Sequence, residues 1–149
     1  MPAGSPLAPM PVGAPGARIL VVEDNGVNQI LIKAILDQMG HFSDVVANGI
    51  EAIRQVQAAH YDLVLMDIQM PEMDGEAATR AIRRLPGPVG RIPIVAMTAN
   101  AMVEHRETYL SCGMDDYVSK PIDASALQQA IARVLRNAGA PLPRTVRTA

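Results

Sequence analysis

From residue 18 onward the chain alternates short, continuous apolar runs with longer stretches of helical periodicity. Arg18-Ile-Leu-Val-Val22, Leu63-Val-Leu-Met66 and Ile94-Val-Ala-Met97 are unbroken apolar runs after at most one polar residue. Such runs suit strands of a parallel sheet, buried on both faces. Ser43 to Ala47 and Tyr117-Val-Ser119 are weaker strands of the same kind. Between them lie helical patterns. Val27 to Met39 has Val27, Leu31, Ala34, Ile35 and Gln38 as its core stripe and Gly40 at its C-cap. A second helix runs from Asn48-Gly49 to Ala59 with Ile50, Ile53 and Val56 inward. Glu76 to Arg84 follows the turn framed by Pro71 and Gly75. Leu85 to Pro93 reads as a loop. A fourth helix covers about Met102 to Ser111 and is closed by Gly113. The last, Ala124 to Asn137, is N-capped by Asp123 and turns Leu127, Ile131, Val134 and Leu135 to one face. Five β–α units in series predict an α/β fold, a parallel sheet with helices on both faces.

Residues 1–17 contain five prolines and three glycines. Both residue types oppose regular structure, so a flexible tail or linker is expected there. The stretch 138–149 has the same character, leaving residues 18–137 as the folded unit. Half the chain is apolar (49%), enough for a real core. The net charge of -2 gives no basic footprint for nucleic acid. Aromatic residues, at 3% with no tryptophan, are too few for base-stacking platforms. No apolar run is long enough to span a bilayer, and the N-terminus lacks the pattern of a secretion signal, so a cytoplasmic location without membrane contact is expected. Cys112 is expected as a small buried hydrophobe in a reducing compartment. His41, His60 and His105 show no ligand spacing and are expected at the surface. The methionines are assigned to packing.

The polar residues change the picture. The first strand runs into Glu23-Asp24, the third into Asp67, the fourth into Thr98 and the fifth into Lys120. In a parallel α/β sheet these all fall at the carboxyl edge, where ligands bind. Taken singly each has an ordinary role: loop acid, helix cap, or a lysine snorkelling from the sheet edge. Taken together they form a constellation. Clustered carboxylates stay ionised if a hard divalent cation sits among them, and magnesium, with its oxygen ligands and its affinity for phosphate, fits. An ionised aspartate can itself be a nucleophile and form an aspartyl-phosphate.

Four segments, in order, carry a resemblance: Ile19-Leu-Val-Val-Glu-Asp-Asn25, Leu65-Met-Asp-Ile-Gln-Met-Pro-Glu-Met-Asp-Gly75, Ile94-Val-Ala-Met-Thr-Ala-Asn100 and Gly113-Met-Asp-Asp-Tyr-Val-Ser-Lys-Pro121. They resemble the response-regulator receiver family over about residues 18–137. The resemblance implies a flavodoxin-like, three-layer (βα)5 fold with strand order 2-1-3-4-5. It implies that Asp67 is the phosphoacceptor in a two-component phosphorelay. Magnesium, or manganese, would be held by Glu23, Asp24, Asp67 and the backbone carbonyl of Gln69. Glu23 would act largely through water. Thr98 and Lys120 would bind the phosphoryl group, and Tyr117 would be the switch aromatic. Small Ala99 would leave the phosphoryl group access. Gln69 and Asn100 would tune the phosphoryl lifetime. The Lys120-Pro121 bond is expected to be cis. The partner implied is a histidine kinase or histidine phosphotransfer protein. Ile32 and Leu36, off the expected core stripe of the first helix, are the expected docking residues. The wording around Asn28-Gln29 and Met66 to Pro71 favours a receiver cut from a hybrid histidine kinase, with residues 1–17 as its linker. The alternative is a stand-alone response regulator. No DNA-binding or catalytic output domain is expected in residues 138–149. A metal-dependent aspartyl phosphatase is a third class. It is disfavoured because Gln69 stands where such enzymes place a second acid.

Overall fold

The computed structural model describes residues 16–70, 73–99 and 103–137. The elements follow the expected alternation. They are β1 (Arg18–Val22), α1 (Gly26–Gln38), β2 (Phe42–Val46), α2 (Gly49–Ala58), β3 (Leu63–Asp67), α3 (Gly75–Arg83), β4 (Ile94–Thr98), α4 (Val103–Ser111), β5 (Asp116–Ser119) and α5 (Ala124–Asn137). The five strands form one parallel sheet in the order β2-β1-β3-β4-β5. The loop expected at residues 85–93 contains a short 3-10 turn, Pro88–Arg91, opened by Pro88 in a position where no backbone N–H is needed. Among the described residues no helix is long and apolar enough to cross a membrane.

Local chemistry sets the helix ends. Asn25, Asn48 and Asp74 accept hydrogen bonds from the backbone of Asn28, Glu51 and Ala77, each capping a helix start. The Asp123 carboxylate accepts from the backbone N–H of Ala126 at 2.8 Å, as expected of a cap for α5. Gly40 takes a positive φ of 84° just beyond α1, a conformation open to glycine without strain.

The period-2 alternation of the strands divides the core in two. Ile19, Val21, Leu63, Leu65, Val95, Met97 and Val118 face α1 and α5. Leu20, Val22, Val64, Met66, Ile94 and Ala96 face α2, α3 and α4. Every residue of β3 and β4 is buried, which explains their unbroken apolar sequence. Arg83 at the end of α3 ties the second layer together. Its guanidinium donates to the carbonyls of Gly90, Ile92 and Gly113 and to the Asp115 carboxylate, at 2.7–3.1 Å.

Four expectations are corrected. In α1 the inward face is Ile32, Ile35, Leu36 and Met39, while Val27 (75% exposed), Ile30 (73%) and Leu31 (41%) face outward. Ile32 and Leu36 are fully buried in the α1–α5 layer and present no docking surface. The helix is apolar over most of its circumference, so its sequence supports two stripes and the sheet selects one. His41 is buried rather than at the surface. Its Nδ1 accepts from the Ala17 N–H at 3.0 Å, and burial pushes the imidazole below its usual range, against the raising charge of Asp62. Ala17 itself is buried in the core, so the folded unit includes a residue expected in the tail. In α2, Ile50 is exposed and Ala52 takes the inward position.

Leu36→Ala should cost roughly 2–5 kcal/mol through lost burial and a cavity, and Ile32→Asp should prevent folding. Urea unfolding followed by circular dichroism reads both. A stably folded Ile32→Asp protein would contradict the α1 register.

Candidate functional site

The register of the sheet builds the site. Val22 is paired with Met66, so Glu23 and Asp67 follow at the same level on neighbouring strands. Asp67 is paired with Met97 and Thr98 with Ser119, so Thr98 and Lys120 come next along the carboxyl edge. Strand parity then sorts the side chains. Glu23, Asp67 and Lys120 continue the series that faces α1 and α5, whereas Thr98 continues the series that faces α4.

Asp67 is 2% exposed. Its Oδ1 accepts from Lys120 Nζ at 3.0 Å and from the Gln69 N–H at 3.2 Å. Its Oδ2 is buried without a hydrogen-bond partner. Glu23 is 1% exposed. One carboxylate oxygen accepts from the Asn25 N–H at 3.1 Å. The other lies 3.3 Å from Lys120 Nζ, an ion-pair distance, but outside hydrogen-bond geometry. Asp24 is exposed, and oxygens of Glu23, Asp24 and Asp67 all lie within 4.8 Å of one another.

Electrostatics follow from this crowding. Burial, and behind it the charge of Glu23, raises the Asp67 carboxyl to about 6, against the lowering hydrogen bond from Lys120. Burial alone would lower the Lys120 ammonium, but its hydrogen bond and ion pairs with Asp67 and Glu23 outweigh that and raise it. Lys120 thus stays charged. An unpartnered buried carboxylate oxygen is costly. A hard cation among three carboxylates, reached from the exposed Asp24 side, would give Asp67 Oδ2 its missing partner. The cluster is therefore able to coordinate a divalent metal.

Two close approaches shape the rim. Gly75 begins α3 directly against β3: a Cβ there would lie 2.2 Å from the Asp67 carbonyl oxygen, so only glycine fits without displacement. The Lys120-Pro121 peptide is cis, as expected.

Thr98 is buried, and its Oγ1 lies 2.8 Å from the hydroxyl of Tyr109 on α4. Tyr109 went unremarked in the sequence. Its signal was the three-residue spacing with Cys112, just beyond the fourth helix; both are buried. Tyr117, the expected switch aromatic, is half-buried and packs on the α2–α4 face of the sheet. Its backbone N–H is bonded to Asp116 Oδ1 at 2.8 Å. Gln69 is exposed, with its backbone N–H on Asp67. Asn100 lies outside the described residues. Cys112 is buried as expected, and burial raises its thiol.

Comparison with known proteins decides the family. Residues 19–132 match the model of the response regulator receiver domain. The chain belongs to the receiver-domain family. It is 44% identical, with a TM-score of 0.74, to the receiver domain of the sensor histidine kinase PA1611 from Pseudomonas aeruginosa, whose crystal structure has a magnesium ion in the active-site cleft. That match covers 81% of this chain and 98% of the other. The chain is 42% identical over 123 residues to the sensor protein GacS of Pseudomonas syringae and 38% identical over 149 residues to probable histidine kinase 1 of Oryza sativa. These matches cover 81% and 80% of this chain but only 14% and 15% of those proteins. The receiver is thus closely related to the receiver domains of hybrid histidine kinases. Its function is that of a phosphoacceptor, a self-catalysed phosphotransfer module rather than an enzyme with turnover.

Because folding holds Asp67 above its unfolded value of 3.8, the folded receiver binds the extra proton, and its stability rises as pH falls from above 6 toward 4. Asp67→Asn should accordingly raise the melting temperature of the metal-free protein at pH 7 by roughly 4 °C or more. It should also remove stabilisation by magnesium. In the parent protein, magnesium affinity should fall as pH drops through about 6, because protons compete for the same carboxylate. Calorimetric melting and titration check both.

Proposed function

We propose that Asp67 accepts a phosphoryl group from a phosphohistidine, with magnesium or manganese held by Asp24, Asp67, the Gln69 carbonyl and, through water, Glu23. The observation that carries this reading is the asymmetry of Asp67: one oxygen bound by Lys120, the other buried and unpartnered beside two further carboxylates. In the transfer an Asp67 oxygen forms the new P–O bond while the P–N bond of the donor imidazole breaks, and the imidazole leaves with the electron pair and takes up a proton. The ionised carboxylate needs no general base. The metal neutralises phosphoryl charge when bound. Lys120 supplies a fixed cation, Thr98 a hydroxyl donor, and Ala99 leaves room for the incoming group. Gln69 and Asn100, each two positions beyond a site residue, tune the lifetime of the product, and Tyr117 reads out the change at Thr98.

The donor is a histidine kinase or a histidine phosphotransfer protein, and the domain serves as the receiver of a hybrid histidine kinase, with residues 1–17 as its linker. The likeness to GacS and PA1611 supports this over a stand-alone regulator. The donor docks on the outward face of α1, where Val27, Ile30 and Leu31 are exposed. That face takes the role once expected of Ile32 and Leu36. It begins two residues after Asn25, on the same rim as Glu23 and Asp24.

Incubation with acetyl phosphate and magnesium should add one phosphoryl mass to the intact protein, and Asp67→Ala or removal of magnesium should abolish the gain. Absence of the gain in the parent protein counts against the proposal. Ile30→Glu should slow phosphotransfer from a phosphorylated histidine phosphotransfer domain about tenfold without lowering the melting temperature. Unchanged transfer would remove α1 as the docking face.

A further inference from the structure

We infer that Gln29 is a positioning residue for the metal site: its side-chain amide holds the Glu23 carbonyl and so fixes the peptide that leads into Asp24. The inference rests on the reading that a divalent cation binds among Glu23, Asp24 and Asp67, and it gives that site a residue on α1.

The three carboxylates are not held alike. Asp67 is the last residue of β3 and is bound by Lys120. Glu23 is anchored through its N–H, which donates to the Val46 carbonyl at 3.0 Å, and its buried side chain accepts from the Asn25 N–H. Asp24 belongs to no element. It lies between the end of β1 and the Asn25 cap of α1, and it is exposed. Its carboxylate nonetheless has an oxygen within 4.8 Å of the other two.

Gln29 supplies the constraint. Its Nε2 donates to the Glu23 carbonyl at 2.6 Å, in a partly buried contact. Its backbone N–H donates to the Asn25 carbonyl at 2.9 Å. One residue therefore grips the turn on both sides of Asp24. The peptide joining Glu23 to Asp24 is planar, so holding its carbonyl oxygen also orients the bond from its nitrogen to the Asp24 α-carbon. The helix that carries Gln29 is fixed in turn, because Ile32 and Leu36 are fully buried against the sheet. The place of the exposed carboxylate is thus referred to the core through α1.

The consequence is selective. Magnesium demands near-ideal octahedral geometry at short distances, whereas calcium accepts longer and less regular arrangements. A turn free to shift should cost magnesium more than calcium. Groups that orient metal ligands contribute about tenfold or more to metal affinity.

The test is a series of melting curves at rising magnesium, and separately rising calcium, for the parent receiver, Gln29→Met, Gln29→Ala and Asp24→Asn at neutral pH. A ligand of the folded state raises the melting temperature according to its affinity, so weak binding is also read. Methionine is close to glutamine in size and helix propensity but lacks the donor. The metal-free curves of both Gln29 variants should stay close to that of the parent. Gln29→Met and Gln29→Ala should each weaken magnesium binding about tenfold and calcium binding far less. Parent-like magnesium affinity in both variants overturns the inference. So does an equal loss for the two cations, since a merely structural role for Gln29 would not distinguish them. If magnesium leaves the parent's melting temperature unchanged, or stabilises Asp24→Asn as much as the parent, no cation rests on Asp24, and the reading of the metal site fails along with the inference.

Discussion

The arrangement of this receiver depends on keeping one carboxylate ionised where water is scarce. Asp67 ends the central strand β3, between β1 and β4, and almost no solvent reaches it. Burying a charge there is unfavourable unless partners compensate. Lys120, from the far edge strand, compensates part of it through a direct hydrogen bond and brings its positive charge to Glu23 as well. The compensation is incomplete. The raised pKa of Asp67 and the unpartnered Oδ2 both record what remains. A divalent cation among the three carboxylates would relieve what remains.

Placing those charges requires a rigid frame. Two buried layers press on the sheet from opposite sides, and the strict alternation of the strands assigns each side chain to one of them. The same parity that sends Val21, Leu65 and Val118 toward α1 and α5 sends Glu23, Asp67 and Lys120 toward a common point two residues later. Gly75 lets α3 begin against the Asp67 carbonyl, and Arg83 binds the far ends of α3, the 3-10 turn and the segment after α4 into one unit. Charge cluster and frame are parts of one construction.

Thr98 has a different place. It stands at the same edge but on the opposite face, so it meets the site from the α4 side. Its hydroxyl contact with Tyr109 ties this edge of the sheet to α4. The second layer is thus joined to the site through a hydroxyl pair, the first through ion pairs.

The sequence by itself determined the alternation of strands and helices, the parallel sheet and the coincidence of Glu23, Asp24, Asp67, Thr98 and Lys120 at strand ends. These follow from local rules: period-2 burial, capping side chains, and chain direction in a parallel sheet. Its motifs also carried the family and the strand order. What only the tertiary structure decided lies where one pattern admits two answers. Helix α1 is apolar on too many sides for its wheel to name the inward face, and contact with β1 and α5 buries Ile32 and Leu36 while exposing Val27 and Ile30. His41 and Ala17 find each other across 24 positions, which no local pattern encodes. Tyr109 and Thr98 meet because α4 crosses the face that even-numbered β4 residues share. Side-chain partnership across elements depends on packing in three dimensions, and a linear pattern of apolar and polar residues holds only its projection.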